Sequence, residues 1–300
     1  MEATKKGKVS DYLKAAGLGI LAIALFYLIQ ILVMMGMMFV GMFLDIIRVG
    51  GENQEASSLV SQMQSPEFLT SATAVMTAVT TLVFGIWYKL RYGRKFMETR
   101  FQSFRQYVLT RKNVLVFLLL GLSCYFIEII IANVIAVVSP DVMELYLESM
   151  EGIMGGNSVV VFFFTGLLAP IGEECLFRGL ILKKYLKWLP VVPAILLQAV
   201  FFGIFHMNYV QGIYVLIIGT VAGYVAYRWK RVLPAIFIHF VNNTMPSVLR
   251  AVPESVQENY VLWTVIGVLA LVLLIAVIKY MPGELMEVPE ELVAKEEAAE

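Results

Sequence analysis

The chain is 300 residues long, 59% hydrophobic and 15% charged, with a mean hydropathy of +0.78. A soluble domain carries about 25% charged and about 45–50% apolar residues, so this composition excludes one and points to an all-α, polytopic membrane helical bundle. Lys plus Arg and Asp plus Glu balance at 23 each, so orientation has to be read from how the charges sort among the loops.

The start is basic, with Lys5, Lys6, Lys8 and Lys14. The first apolar run, Gly17 to Leu44, is far longer than the 7–15 residues of a signal h-region and is expected to stay as a membrane anchor. Its methionines, Met34, Met35, Met37 and Met38, are expected to pack against neighbouring helices. A polar loop from Asp45 to Phe68 leads to a second span near Leu69 to Tyr88. The most basic loop follows, from Lys89 through Arg94, Lys95, Arg100 and Arg105 to Lys112; at a membrane boundary it reads as a topology signal or an anionic-lipid contact, not a nucleic-acid site. A third span, Val114 to Val138, contains Glu128, a second intramembrane acid that is expected to line a cavity or pair with a neighbouring helix. The stretch Ser139 to Ser158 reads as an acidic loop.

Spans four to seven are placed at Val159–Leu182, Pro193–Phe205, Ile213–Tyr227 and Leu233–Leu249, and the eighth at Leu262–Ile278, before an acidic tail from Pro282 to Glu300. Gly219 and Gly223 stand at GxxxG spacing, a close-packing surface. Of the 23 Lys and Arg, only Arg48 and Arg250 fall on the side opposite the rest, so both termini are expected in the cytoplasm, with about eight transmembrane helices around a cytosol-facing cavity. The chain divides into an N-terminal part, 1–158, a core, 159–250, and a last span with tail, 251–300. Cys124 and Cys175 both lie in apolar runs and read as buried small residues, neither a disulfide framework nor a zinc site.

Chemistry concentrates in the core. Gly172-Glu173-Glu174-Cys175-Leu176-Phe177-Arg178 puts two carboxylates and a guanidinium inside an apolar run. An ionised group at membrane depth costs roughly 2.5–3.5 kcal/mol or more, so such residues face a protein interior or a wet cavity. On a helix Glu174 and Arg178 are i,i+4 and can pair, while Glu173, about 100° round the axis, is left without the arginine. The chain's two histidines, His206 and His239, lie in separate apolar segments. Counted from the basic end of its span, Glu173 lies about nine residues, ~13 Å, in, and His239 at a similar depth; His206 reaches that level only if the chain bends through Pro190 and Pro193. A glutamate beside two imidazoles can act as general base on a water, and Asn243, one turn from His239, can donate to a developing oxyanion.

Glu-Glu-x-x-x-Arg, Phe-x-x-x-His and His-x-x-x-Asn, in that order, resemble the CPBP (Abi) family of intramembrane proteases, which includes the CAAX prenyl endopeptidases and bacteriocin-processing proteins; the resemblance covers roughly Val159 to Ser247. It implies a multi-pass integral membrane endopeptidase, in the cell membrane if bacterial, that hydrolyses a membrane-anchored or lipidated substrate, prenylated or not. It further implies Glu173 activating water, His206 assisting, His239 and Asn243 forming the oxyanion site, and Glu174 and Arg178 in support. Family members are often named metalloproteases, and Glu173, His206 and His239 would be the zinc ligands if a metal takes part. There is no H-E-x-x-H, and the favoured reading uses no cofactor. Two rivals from other classes are a non-proteolytic immunity or adaptor protein on the same scaffold, and a proton-coupled transporter. The latter predicts an inverted repeat, which is not seen.

Overall fold

In the computed structural model, residues 7–49, 65–92, 110–257 and 259–280 are described. The early lysines Lys5 and Lys6, the basic-loop residues Arg94, Lys95, Arg100 and Arg105, and the acidic tail lie outside the described residues. The described chain is helical, with no strand: α1 (Val9–Val49), α2 (Pro66–Tyr92), α3 (Arg111–Val138), α4 (Pro140–Met154), α5 (Ser158–Trp188), α6 (Val191–Phe205), α7 (Tyr209–Trp229), α8 (Leu233–Leu249), a short α9 (Glu254–Gln257) and α10 (Tyr260–Tyr280).

Each of the eight apolar runs is a helix, but six rather than eight are long and apolar enough to cross a bilayer: α1, α2, α3, α5, α7 and α10. α6, at 15 residues, and α8, at 17, are shorter than the ~20 residues a span needs. The acidic stretch after α3 is not a loop. It is α4, started by Pro140 at its first turn, where the missing N–H costs nothing, and docked where Thr70 of α2 donates to the Ile153 carbonyl at 2.8 Å.

Capping residues set several of the starts. Thr110 accepts from the Asn113 N–H before α3, Asn157 from Val159 and Val160 before α5, and Asn208 from Gln211 before α7. α5 does not stop at its lysines. It runs on through Lys183 and Lys184 to Trp188, and ends where Leu189 turns extended before Pro190, as a residue preceding proline favours. Glu173 therefore stands 15 residues from either end of this 31-residue helix, deeper than the sequence count suggested.

α3 is the central post, packed against α7, α8 and α10, while α5 lies between α2 and α8 with α6 alongside. The glycine pair of α7 faces α6, Gly219 against Ala199 and Gly223 against Gln198. Outward faces remain apolar, as lipid contact demands: Leu21, Ile31, Leu32 and Met35 of α1 and Val261, Leu269 and Val272 of α10 are all more than half exposed. Met35 and Met38 are among the exposed residues, so the methionine run does not pack inward as a group.

Gly172 is where α5 meets α2. A Cβ there would lie 2.6 Å from the Thr81 hydroxyl and 3.0 Å from the Thr81 Cα, and the latter is backbone that cannot swing aside. Gly172→Ala is expected to lower stability by about 1–3 kcal/mol through the forced helix shift, read as a lower thermal midpoint in detergent. A midpoint equal to that of the parent would show that the two helices do not meet here.

Candidate active site

The Glu-Glu motif sits in a helix that departs from regular α geometry on both sides. Phe162–Leu168 and Cys175–Leu182 are wound as π turns, and only Ala169–Glu174 between them is α-helical. Such turns cluster at functional sites. One local cause is visible. Ala169 donates to the carbonyl five residues back, Phe164, so in the same pattern position 170 would serve Thr165. That position is Pro170, which has no N–H. The Thr165 carbonyl is taken instead by the Asn243 side-chain amide at 3.0 Å, and the Leu168 carbonyl accepts from the Thr81 hydroxyl at 2.8 Å. α8 and α2 thus fasten the distorted turn from two sides.

Glu174 is fully buried and forms the junction of the site. Arg178 Nη1 donates to its Oε1 at 2.7 Å, the i,i+4 pair expected from the spacing, and His239 Nδ1 meets the same oxygen at 2.9 Å. A carboxylate paired to arginine only accepts, so Nδ1 of His239 carries the proton and the ring is held with Nε2 turned the other way. Nε2 stands 3.9 Å from Glu173 Oε2, which is itself buried and makes no hydrogen bond among the described residues. Arg178 is anchored further by Nη2 donating to the Gly219 carbonyl at 3.0 Å and by its guanidinium lying 4.5 Å over the Phe202 ring. The adjacent carboxylates therefore have different neighbours. Glu174 is fixed at one oxygen by Arg178 and His239, and Glu173 has only the His239 ring, beyond hydrogen-bond distance.

His206 follows the last residue of α6. Its Nδ1 lies 2.8 Å from the Phe202 carbonyl, which can only accept, so Nδ1–H donates and Nε2 keeps its lone pair. The bend through Leu189 and Pro190 brings it to the level of Glu173, and the two line one cavity of about 160 Å³. Phe202 is the common wedge, with ring centroids 4.8 Å from His206 and 5.7 Å from His239, both at near right angles. His239 and Asn243 do not line that cavity; they stand behind Glu173 on α8.

Much of the cavity wall comes from helices that carry no motif. Phe26, Tyr27 and Gln30 of α1 and Thr77, Thr80 and Thr81 of α2 face Glu173 and His206 across it. The Tyr27 hydroxyl donates to the Phe205 carbonyl, which ties α1 to the end of α6. Tyr and Thr in apolar runs give no signal that separates a cavity wall from ordinary packing. A lone glutamine at Gln30 was the one available hint.

Glu128 is not in this cavity. It is buried, and its Oε2 accepts from the Asn242 amide at 2.9 Å, so of the two expectations the helix pairing is the one observed. Asn242 precedes Asn243 and follows His239 by three, so three hydrogen bonds hold α8 to two helices: to α5 through His239 and Asn243, and to α3 through Asn242. Cys124 and Cys175 are both buried and unbridged.

Among the described residues no three His, Cys, Asp or Glu side chains converge as a bound ion requires. His239 Nδ1 is committed to Glu174 and His206 Nδ1 to a carbonyl, the outer hydrogen bond that a metal-ligating imidazole also makes, and both Nε2 atoms are left open.

No curated protein and no solved structure matches the chain. Residues 155–245, about a third of the chain and the part that holds Glu173, Glu174, Arg178, His206, His239 and Asn243, match the family model Rce1-like, type II CAAX prenyl endopeptidase Rce1-like, a similarity consistent with a CPBP family protease.

Proposed function

We propose that the protein is an intramembrane endopeptidase in which Glu173 activates water for attack on a peptide bond of a membrane-anchored or lipidated substrate. The observation that carries this reading is the division of labour between adjacent carboxylates: one oxygen of Glu174 is held by both Arg178 and His239 at hydrogen-bond distance, whereas Glu173 has no such bond at its Oε2 and lines a cavity with His206. A carboxylate oxygen without a hydrogen bond is able to take a proton from water, and His206 Nε2, an acceptor, can hold that water's second hydrogen. The attack gives a tetrahedral carbon and an oxyanion. The oxyanion role implied for His239 needs its imidazolium form, which donates to Glu174 through Nδ1–H and keeps Nε2–H on the side facing Glu173, and Asn243 keeps a second N–H beyond the one given to Thr165. The proton held by Glu173 then passes to the leaving amine as the carbon–nitrogen bond breaks.

The positive-inside distribution supports cytoplasmic termini and a cavity opened from the cytosolic side. The family match supports a prenylated CAAX-type substrate as the first to try. No step in this mechanism uses a metal.

The test is cleavage by detergent-purified protein of a farnesylated CAAX peptide and of an unprenylated membrane-anchored peptide. Parent, Glu173→Gln and His239→Ala are compared with and without a strong zinc chelator. Loss in both variants together with survival of chelation is the expected result. Loss on chelation, restored by zinc, would turn the same residues into ligands. No cleavage by the parent, with Glu173→Gln still complementing a deletion strain, would sink the protease reading in favour of an adaptor.

A further inference from the structure

We propose that substrate recognition is carried by α1 and α2, outside the family-matched segment, and that Gln30 binds a peptide group of the substrate next to the bond cut at Glu173. This rests on the protease reading.

The cavity has two halves of different origin. Gly172, Glu173, Phe205 and His206 come from the matched segment, and the facing wall comes from residues 26–30 and 77–81. The hydroxyls in that wall are largely committed. Tyr27 donates to Phe205, Thr80 to Met76 and Thr77, and Thr81 to Leu168, all backbone carbonyls. What remains is the Thr77 hydroxyl and the Gln30 amide, and Gln30 makes no hydrogen bond among the described residues.

Gln30 interrupts an otherwise apolar helix whose neighbouring Leu28, Ile31 and Leu32 are more than half exposed to the lipid side. Gln30 itself is only partly buried, and it lines the cavity. A ligand that enters the cavity can supply the partner its amide lacks. A primary amide offers a donor and an acceptor together, which is the complement of a peptide group's C=O and N–H. Its position is fixed as well: Tyr27, one helical turn before it, pins α1 to Phe205, so Gln30 is held across the cavity from the catalytic carboxylate. The ligand class is therefore an extended peptide, read by backbone as well as by its lipid.

The experiment uses the full chain with Glu173→Gln as a non-cleaving trap and a fluorescent farnesylated CAAX peptide as the probe, with affinity measured by anisotropy. Gln30→Met, close in shape and without the amide, is expected to weaken binding about tenfold, the loss of one net hydrogen bond. An analogue with an ester in place of the peptide N–H beside the scissile bond should bind less well than the peptide to the trap, and equally well to the trap carrying Gln30→Met. In the cleaving parent, the same change should raise KM with kcat within about threefold, the mark of uniform binding. Equal affinity of the trap with and without Gln30→Met, or no binding of the peptide to the trap itself, overturns the proposal. Gln30-dependent binding without cleavage by the parent would leave recognition standing and remove the protease reading. Cleavage whose KM ignores Gln30→Met would do the reverse.

Discussion

Glu173→Gln is expected to remove cleavage, by about 10²–10⁴-fold or to below detection, while substrate affinity stays within a few-fold. The substitution keeps the volume and the planar end of the side chain and removes only its ability to take a proton. It should not harm the fold. Glu173 Oε2 is buried without a hydrogen bond, so replacing a carboxylate there by a neutral amide removes a desolvation cost and breaks no ion pair at hydrogen-bond distance. The expected pair of results is an unchanged or slightly raised thermal midpoint with lost turnover, measured on the same preparation. Turnover within tenfold of the parent would exclude Glu173 as the base.

The second large effect is on stability. Arg178→Ala leaves Glu174 as a fully buried carboxylate with His239 as its remaining partner, and removes the donor to the Gly219 carbonyl and the cation over Phe202. Breaking a buried pair by deleting one member costs about 3–5 kcal/mol, because the survivor's charge stays uncompensated. The expected outcome is a steep fall in the thermal midpoint in detergent, or failure to accumulate in the membrane. Arg178→Lys should recover only part of it, since one ammonium cannot reach both Glu174 and Gly219 with the guanidinium's fork. The double change Arg178→Met with Glu174→Gln should regain much of the stability and none of the activity. It removes the buried charges together, but it also removes the carboxylate that holds His239. If the double variant is as unstable as Arg178→Ala, the cost lies in packing against Phe202 and not in charge.

Several parts of this arrangement are legible without coordinates. Charged residues in apolar runs stand out because hydrocarbon penalises them, so the Glu pair, Arg178 and the two histidines follow from composition alone, and the Glu174–Arg178 contact follows from helical spacing. Pro190 announces the bend that returns His206 to the level of Glu173. Three things are hidden. The Glu174–His239 bond spans 65 residues and joins two helices whose relative rotation no local rule supplies. The α1 and α2 wall consists, apart from Gln30, of Tyr, Thr and Phe, which serve packing in most membrane helices. And α4 reads as a loop because its apolar positions are interleaved with four acids, Asp141, Glu144, Glu148 and Glu151, although the Ser-Pro start is a fair helix signal.

The shortness of α6 has a consequence for the bilayer itself. Val192, Leu196, Val200 and Ile204 form its outward stripe, each 45% exposed or more, and the stripe ends one turn before Met207 and Tyr209 stand out at 74% and 85%. Fifteen residues rise only ~22 Å, against a hydrocarbon thickness of ~30 Å. Lipid beside this helix must therefore thin by several ångströms, or leave the polar corner at His206 and Asn208 short of the far interface. Mismatch of this kind costs fractions of a kcal/mol per ångström and acts on every lipid around the rim. Either outcome makes the acyl-chain length of the host bilayer a variable of the surroundings of Glu173 and His206.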